Sequence, residues 1–237
     1  MTTRRDQQSG VALVALATVI ALFGSLKLAT EAVQRRTAAD TSDRAVTAER
    51  LAAAERALVR YATRKGKLPC PADGTVGLRS EDGSTEQTAA TSDNCTIDPE
   101  NAVLPWAELG LQPTKALDGW DRRISYFPNL PDRDAEIASV TGADDAVAFV
   151  LVSHGANGLG AHTINGTHVP GVGGSSQDEQ DNVDGDGGTP ATFHASSYKA
   201  GPSVDREDEF DDQVRFLRRG ALNDRCGKCL DDDGGGS

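Results

Sequence analysis

Two short stretches of the sequence carry residues that could do covalent chemistry. Cys226 and Cys229 form a CxxC pair, which occurs as a structural disulfide, a redox couple or half of a zinc site. No second CxxC exists to complete a four-thiolate zinc site, so a disulfide is the preferred interpretation. Ser153 and His154 place a hydroxyl beside an imidazole, but adjacent residues of a strand point to opposite faces. We therefore expect no hydrogen bond between them, and a strand-end turn rather than a hydrolase site.

A third stretch has the spacing of a metal-binding loop. In "NVDGDGG", Asn182, Asp184 and Asp186 occupy alternating positions and a glycine follows, as at the start of an EF-hand loop. The twelfth position is Phe193, where an EF-hand has a bidentate glutamate. A calcium ion (Ca²⁺) held by these oxygen ligands is one interpretation, and a solvated acidic loop is the other.

The four histidines are expected at surface or turn positions. All of them lie in predicted loops, and none has the i,i+4 pairing with an acidic partner that marks a metal-binding helix. They are His154, His162, His168 and His194.

The cysteines bear on the cellular compartment. Their even number, behind an N-terminal segment of the export type, suggests two disulfides in an oxidising environment. The simplest pairing joins Cys70 to Cys95 and Cys226 to Cys229. The first disulfide closes a polar loop and is expected to stabilise the fold by roughly 3 kcal/mol in the chain-entropy model.

The charge of the chain argues against one class of partner. Its formal net charge is −12 and its pI is about 4.7. Affinity for phosphate backbones comes mainly from clustered Lys and Arg side chains, so no nucleic-acid partner is expected.

Residues 7–29 form the one strongly apolar stretch, and Lys27 is its only charge. As a helix, residues 11–29 would rise roughly 28 Å, close to the ~30 Å hydrocarbon thickness of a bilayer. Arg4 and Arg5 predict that the leading end lies in the cytoplasm. The C-terminal end of this stretch lacks a clear small-x-small cleavage site, which favours a membrane anchor over a cleaved signal peptide. The stretch therefore predicts a single-pass protein of the inner membrane with its soluble domain in the periplasm.

The apolar stretch continues into a long helical pattern. Residues 30–64 include no Gly or Pro, and apolar residues recur at helical spacing on one face. That face consists of Leu51, Ala54, Leu58 and Tyr61. Gly66 and the "LPCPADG" that follows end the pattern. Together the two parts predict one helix of ~50 residues, much longer than the usual globular helix.

The remaining sequence predicts a small β domain. "RRISYF" alternates like a strand, and the apolar run 146–152 is typical of a buried strand. For "FDDQVRFLRRGAL" a strand is preferred to a short helix, and 71–101 is a predicted surface loop. The fold class is α+β: a long N-terminal helix, transmembrane and then amphipathic, packed on a small antiparallel β-sheet with irregular loops. The expected parts are a basic leader (1–10), a transmembrane and assembly helix (11–29), its amphipathic continuation (30–64), a β domain (65–222) and an acidic, Gly-rich tail with the CxxC pair (223–237).

A short basic leader ending in Gly10, followed by an apolar helix that becomes amphipathic, resembles a type IV pilin or a type II secretion pseudopilin. Blocks of the soluble part, above all "LPCPADG" and "LPWAELGL", occur in the order of a pseudopilin-like group. The resemblance implies a pilin-like fold, cleavage after Gly10 by a prepilin peptidase, and a mature chain that begins at a methylated Val11. It also implies that the apolar helix packs in the membrane and in the filament through Val11, Leu13, Val14, Leu16, Val19, Ile20, Leu22, Phe23 and Leu26.

Two positions depart from that family. Members usually carry a glutamate at the fifth mature position, where it pairs with the N-terminal amine of the next subunit, and this chain has Ala15. Members without the glutamate tend to be minor components, often near a filament tip. The second departure is Asp121, where the group commonly has glycine after the tryptophan of "DGW".

The resemblance therefore implies a non-enzymatic, minor structural subunit of a pseudopilus or pilus. Its expected partners are other pilin or pseudopilin subunits, the prepilin peptidase, the inner membrane and an exported protein. No cofactor is expected other than Ca²⁺ at the acidic stretch. One rival is a membrane-anchored periplasmic binding domain that is never processed or assembled. The other is a periplasmic hydrolase or thiol oxidoreductase.

Overall fold

The computed structural model describes residues 5–78, 95, 97–129, 137–140, 146–170, 176–184, 191–199 and 210–227. Ahead of residue 33, it describes side chains only at Lys27 and Glu31. The chain divides into two compact units, Met1–Ser42 and Asp43–Ser237.

The N-terminal helix, α1, runs from Arg5 to Lys65 and ends where the sequence predicts. Gly66 follows it in the left-handed region, with φ of +73°, and its N–H donates to the Ala62 carbonyl at 2.8 Å. A residue with positive φ cannot continue a right-handed helix, and glycine adopts this conformation without a Cβ clash.

The predicted membrane location is contradicted. In the part of the chain that the structure describes, no helix has both the length and the apolar character that crossing a bilayer requires. The side chains of 11–26 lie outside the described residues, and from residue 33 on α1 carries charged groups such as Arg36, Asp40 and Arg44. Charges of this kind are costly in hydrocarbon. The prediction of a single-pass protein of the inner membrane with a periplasmic domain is therefore wrong on this finding.

Among its described residues, the second unit has nine short strands, two short α-helices and two 3-10 helices, Pro99–Asn101 and Pro113–Ala116. The strands are β1 (Ala72–Asp73), β2 (Ala102–Val103), β3 (Arg122–Arg123), β4 (Ser125–Pro128), β5 (Ile137–Val140), β6 (Val147–Ser153), β7 (His162–Thr163), β8 (Ala191–Phe193) and β9 (Gln213–Arg218). The helices are α2 (Gln177–Asp184) and α3 (Arg219–Cys226).

Five of these strands form the main sheet, in the order β1-β2-β4-β6-β9, and every neighbouring pair is antiparallel. The predicted face of α1 packs on one side of this sheet: Leu51, Ala54, Leu58 and Tyr61 are all buried. They share a hydrophobic core with Tyr126, Phe149 and Leu151 of the sheet. The coarse fold is thus confirmed as α+β, with a helix on an antiparallel sheet.

A second apolar layer covers the other side of the sheet. Phe127, Val150 and Val152 point away from α1 and pack with Val140 of β5 and Phe193 of β8. Strands β5 and β8 pair with each other in parallel, which the sequence did not predict. Because both faces of β6 are covered, its residues are buried without interruption, and this explains the continuous apolar run.

Two predicted strands differ in detail. "RRISYF" is interrupted at Ile124, so it contributes β3 to a small sheet with β7 and β4 to the main sheet. "FDDQVRFLRRGAL" is a strand followed directly by a helix, β9 and α3, rather than a strand alone. Most of the predicted loop 71–101, and the tail beyond Gly227, lie outside the described residues.

Asp121 is the one described non-glycine residue with positive φ, at 60°. Its N–H donates to the Asp118 carbonyl at 3.2 Å and closes a tight turn.

We expect Asp121→Gly to raise the free energy of unfolding by about 0.5–1 kcal/mol, because glycine removes the left-handed strain. Urea unfolding measures the change. The matched variant is Asp98→Gly, at a φ of −57°, which should lower stability; a loss of stability in Asp121→Gly as well would contradict the strain argument.

Candidate functional site

Three buried carboxyl groups meet at one place in the second unit. Glu179 comes from α2, and Asp211 and Asp212 immediately precede β9. One oxygen atom from each of the three lies within 4.8 Å of the other two. All three residues are buried, with no more than 3% of their surface exposed. We call these three residues the carboxylate cluster.

Hydrogen bonds from the backbone and from two asparagines hold the carboxylate cluster. Asp211 N–H donates to Glu179 Oε1 at 2.8 Å. Asn157 donates from its backbone N–H to Asp211 Oδ2 at 2.8 Å and from Nδ2 to Glu179 Oε2 at 3.1 Å. Asn182 Nδ2 donates to Asp212 Oδ2 at 2.9 Å. The cluster thus joins α2, the loop after β6 and the start of β9.

One oxygen of the carboxylate cluster has no hydrogen-bond donor among the described residues. Asp211 Oδ1 is buried and accepts no hydrogen bond among the described residues. It lies against Gly155, where a Cβ atom would come within 2.3 Å of it. Any larger residue at position 155 would therefore displace this carboxylate. A buried oxygen without a donor is costly unless a proton or a cation compensates it.

Burial raises the pKa of all three carboxyl groups, because the charged form loses its hydration. The pKa of Glu179 rises from 4.5 to about 7, chiefly by burial, and the neighbouring Asp211 adds to the rise. Burial likewise raises the pKa of Asp211 and raises that of Asp212 well above its ordinary value. The hydrogen bonds that these groups accept, and the nearby Arg44, oppose the shift only in part. At neutral pH the cluster therefore holds protons or needs a cation.

The calcium loop predicted from "NVDGDGG" falls only in part on the described residues. The backbone of Asn182 and Asp184 lies in the last turn of α2, and the side chain of Asp184 and all of Asp186 lie outside the described residues. The Asn182 side chain makes two hydrogen bonds with the backbone of His194. Its Oδ1 accepts the His194 N–H at 2.7 Å, and its Nδ2 donates to the His194 carbonyl at 3.0 Å. Of the predicted ligands, Asn182 has a described side chain, and this side chain touches the carboxylate cluster through Asp212.

The Ser153–His154 pair behaves as predicted, since the two side chains have different partners. Ser153 Oγ donates to Asp118 Oδ2 at 2.7 Å. His154 Nε2 lies 2.9 Å from the hydroxyl of Ser125, a serine that the sequence analysis did not single out. Strand pairing explains the contact, because Ser125 lies on β4 beside the end of β6.

The Ser125–His154 pair lacks the features of a catalytic dyad. Both residues are buried, and no carboxylate among the described residues orients His154 Nδ1, which has no hydrogen-bond partner there. Burial lowers the pKa of His154 to about 3, with smaller contributions from His162, His168 and Arg122. An imidazole with so low a pKa is a poor general base at neutral pH.

The expectation of surface or turn positions is wrong for His162, which is completely buried in a strand. His154 is completely buried too, but it lies at the turn after β6, where its carbonyl accepts the Gly158 N–H at 2.8 Å. His162 lies on β7 and stacks on His168, with ring centroids 4.8 Å apart. Burial lowers the pKa of His162 to about 4, so the stacked rings do not repel each other as cations. His194 is half-buried beside Asp178 and Asp181 of α2, at 3.5 and 3.2 Å.

The first two cysteines pair as predicted: Cys70 and Cys95 form a disulfide, with Cα atoms 5.3 Å apart. Cys226, at the end of α3, is also disulfide-bonded, and Cys229 lies outside the described residues. Gly10 and Val11, the predicted processing site, lie within the backbone of α1. The side chains of the predicted assembly set in 11–26 lie outside the described residues.

Comparisons of the chain with protein-family models, with curated proteins and with solved structures found no match.

Proposed function

We propose that this chain is a non-enzymatic structural subunit of a filament, similar to the minor pseudopilins of type II secretion systems or minor type IV pilins. In this proposal the chain joins the filament through α1. The observation that carries it is the extent of that helix: α1 has 61 residues, and those up to Ser42 do not belong to the compact second unit. Ordinary globular helices have about 11–12 residues.

The described side chains between 33 and 42 support an assembly role. All of them are exposed except the half-buried Asp40, and Val33 is 62% exposed. Helices in proteins gain most of their stability from packing rather than from helix propensity. In this proposal the exposed segment 33–42 is therefore stabilised by neighbours, which are other pilin or pseudopilin subunits.

The second unit agrees with the proposal in its coarse form. A helix on an antiparallel sheet is what the resemblance implies. Ala15 replaces the glutamate that pairs with the amine of the next subunit, so we propose a minor position rather than a repeated one. The prepilin peptidase is the proposed processing enzyme, and an exported protein is a further proposed partner.

Cleavage after Gly10 tests this proposal. When the full chain is produced with a prepilin peptidase and a major pseudopilin, mass spectrometry should find a methylated N-terminus at Val11. Gly10→Val should remain uncut and be absent from sheared filaments, because the peptidase recognises the glycine. The matched control is Gly24→Val, the same change in the same helix, which should still be cut. An uncut native chain, or normal cutting of Gly10→Val, would contradict the proposal.

Calcium binding at the carboxylate cluster is a second candidate function. Ca²⁺ binds oxygen ligands at 2.3–2.6 Å, so two ligands of one ion lie at most about 5 Å apart. The three carboxyl oxygens of the cluster meet that limit, and Asp211 Oδ1 is a buried acceptor that lacks a donor among the described residues. Glu179, Asp211 and Asp212 would hold the ion, which would neutralise them. A binding role without assembly is the alternative to the filament proposal, and it requires an uncut N-terminus.

A further inference from the structure

A tight turn follows β7 and carries the dipeptide Asn165-Gly166. Two backbone hydrogen bonds close it: Gly166 N–H donates to the Thr163 carbonyl at 3.1 Å, and Thr163 N–H donates to the Thr167 carbonyl at 2.9 Å. Gly166 has a φ of +82°, and a Cβ atom at this position would come within 2.1 Å of the Thr75 carbonyl oxygen. The turn therefore requires glycine directly after Asn165.

The side chain of Asn165 is exposed and makes no hydrogen bond with any residue that the structure describes. The neighbouring Ile164 and Thr167 are exposed as well. A carboxamide at such a loop tip is free to change rotamer, so its carbon can approach the backbone nitrogen of the next residue. Glycine at that next position has no side chain to obstruct the approach.

The sequence has one other Asn-Gly pair, Asn157-Gly158, and the fold restrains it. Asn157 is half-buried; its Nδ2 donates to Glu179 Oε2 at 3.1 Å, and its Oδ1 accepts the Leu159 N–H at 3.0 Å. Gly158 is buried, and its N–H donates to the His154 carbonyl at 2.8 Å. To turn its carboxamide carbon toward the Gly158 nitrogen, Asn157 would have to break these hydrogen bonds.

We propose that Asn165 is a site of spontaneous deamidation and that the fold protects Asn157 from the same reaction. The backbone nitrogen of Gly166 attacks Asn165 Cγ, and a new C–N bond closes a cyclic imide. The side-chain nitrogen leaves as ammonia, and water carries the Gly166 amide proton to it. A water molecule then adds to one of the two imide carbonyl carbons and opens the ring, which leaves an aspartyl or an isoaspartyl residue. Water is the co-reactant, and no group is oxidised or reduced.

The modification changes the turn in two ways. Either product adds a negative charge at the exposed tip. The isoaspartyl product also adds one methylene group to the main chain, which displaces the Gly166 N–H from the Thr163 carbonyl. The reaction depends on this turn alone, so it is independent of whether α1 assembles into a filament.

The test incubates the full chain at pH 8 in water enriched in oxygen-18, either folded or in denaturant. Chymotryptic cleavage after Leu159, in ordinary water, separates the two asparagines for mass spectrometry. In the folded chain Asn165 should lose ammonia and take up one heavy oxygen. Asn157 should react at least about tenfold more slowly, because its hydrogen bonds must break first. In denaturant the two rates should be similar, since both asparagines precede glycine.

Asn165→Gln is the matched variant. Its side chain would have to close a larger ring, so position 165 should take up no label while Asn157 behaves as in the native chain. Equal rates for Asn157 and Asn165 in the folded chain would overturn the proposal, because the hydrogen bonds of Asn157 would then give no protection. An Asn165 that reacts in denaturant and stays intact in the folded chain would overturn it too, because the turn would then prevent the attack.

Discussion

Replacing Asp118 with alanine should lower the free energy of unfolding by about 3–5 kcal/mol, the range for breaking a buried hydrogen-bond network. Asp118 is fully buried. Its Oδ1 accepts the N–H groups of Trp120 and Arg122, both at 2.9 Å. Its Oδ2 accepts the Ser153 hydroxyl at 2.7 Å. Alanine would leave two amide groups and a hydroxyl without acceptors in a dry environment.

The loop that contains Asp118 is also hydrogen-bonded to α1, so loss of the Asp118 side chain should weaken the contact between this loop and α1 as well. Arg50 Nη1 donates to the Asp118 carbonyl at 2.6 Å, and Gly119 N–H donates to Thr47 Oγ1 at 2.8 Å. A Cβ atom at Gly119 would come within 2.1 Å of the Asp43 carbonyl oxygen, which shows how closely the two backbones approach. Loss of the Asp118 side chain therefore loosens the contact between helix and sheet.

Asp118→Asn is the matched variant for this prediction. Its amide oxygen can accept both N–H groups, and its Nδ2 can donate to Ser153 Oγ, so the two amides and the serine oxygen keep a partner. We expect it to remain within about 1 kcal/mol of the native chain in guanidinium unfolding. If the alanine and asparagine variants were equally stable, the hydrogen bonds of Asp118 would not be the source of its contribution.

The parts of the fold that the sequence predicted correctly are those that depend on local patterns. The buried face of α1 follows from the spacing of its apolar residues, and its end follows from Gly66. The buried strand β6 follows from its apolar run. In each case the signal lies within one element, so no knowledge of the neighbouring elements is needed.

The carboxylate cluster could not be found in this way. Glu179 and Asp211 are 32 residues apart, and their contact depends on how α2 packs against the start of β9. The Ser125–His154 contact likewise depends on the register between β4 and β6. Contacts of this kind depend on tertiary packing, and the spacing of residues within one helix or strand does not predict them.

The helix α2 is different, because a local signal for it was present. Ser176 stands three residues ahead of Glu179, which is the spacing of a capping box, and Asp178 adds negative charge to the first turn. In the structure, Ser176 Oγ accepts the Glu179 N–H at 3.4 Å. The glycines and aspartates of "NVDGDGG" led to the prediction of a loop, and the capping signal was not used in that prediction.

The stability of the native chain should fall as pH rises from about 4.5 to about 7 in the presence of a chelator. In this window Glu179, with its pKa raised to about 7, keeps a proton in the folded state that it loses in the unfolded state. The native state therefore binds more protons, and stability must decrease with increasing pH. Acting alone, the shift corresponds to about 3 kcal/mol. Glu179→Gln should remove the part of this decrease that Glu179 contributes and be more stable than the native chain at pH 8, whereas Glu49→Gln, at an exposed position of α1, should do neither. The part that comes from the raised pKa of Asp211 and Asp212 should remain in both variants.

Calcium should reverse the loss at high pH if the carboxylate cluster binds it. Ca²⁺ needs the deprotonated cluster, so millimolar Ca²⁺ should raise the melting temperature of the native chain at pH 8 and have little effect at pH 5. Glu179→Gln should lose the calcium response because it removes one ligand charge, while Glu49→Gln should keep it. Calorimetry measures the melting temperature at pH 5 and at pH 8, each with Ca²⁺ and with chelator. If Ca²⁺ did not change the melting temperature at pH 8, the calcium site would be excluded. If the stability of the native chain and of Glu179→Gln depended on pH in the same way, the bound proton on Glu179 would be excluded.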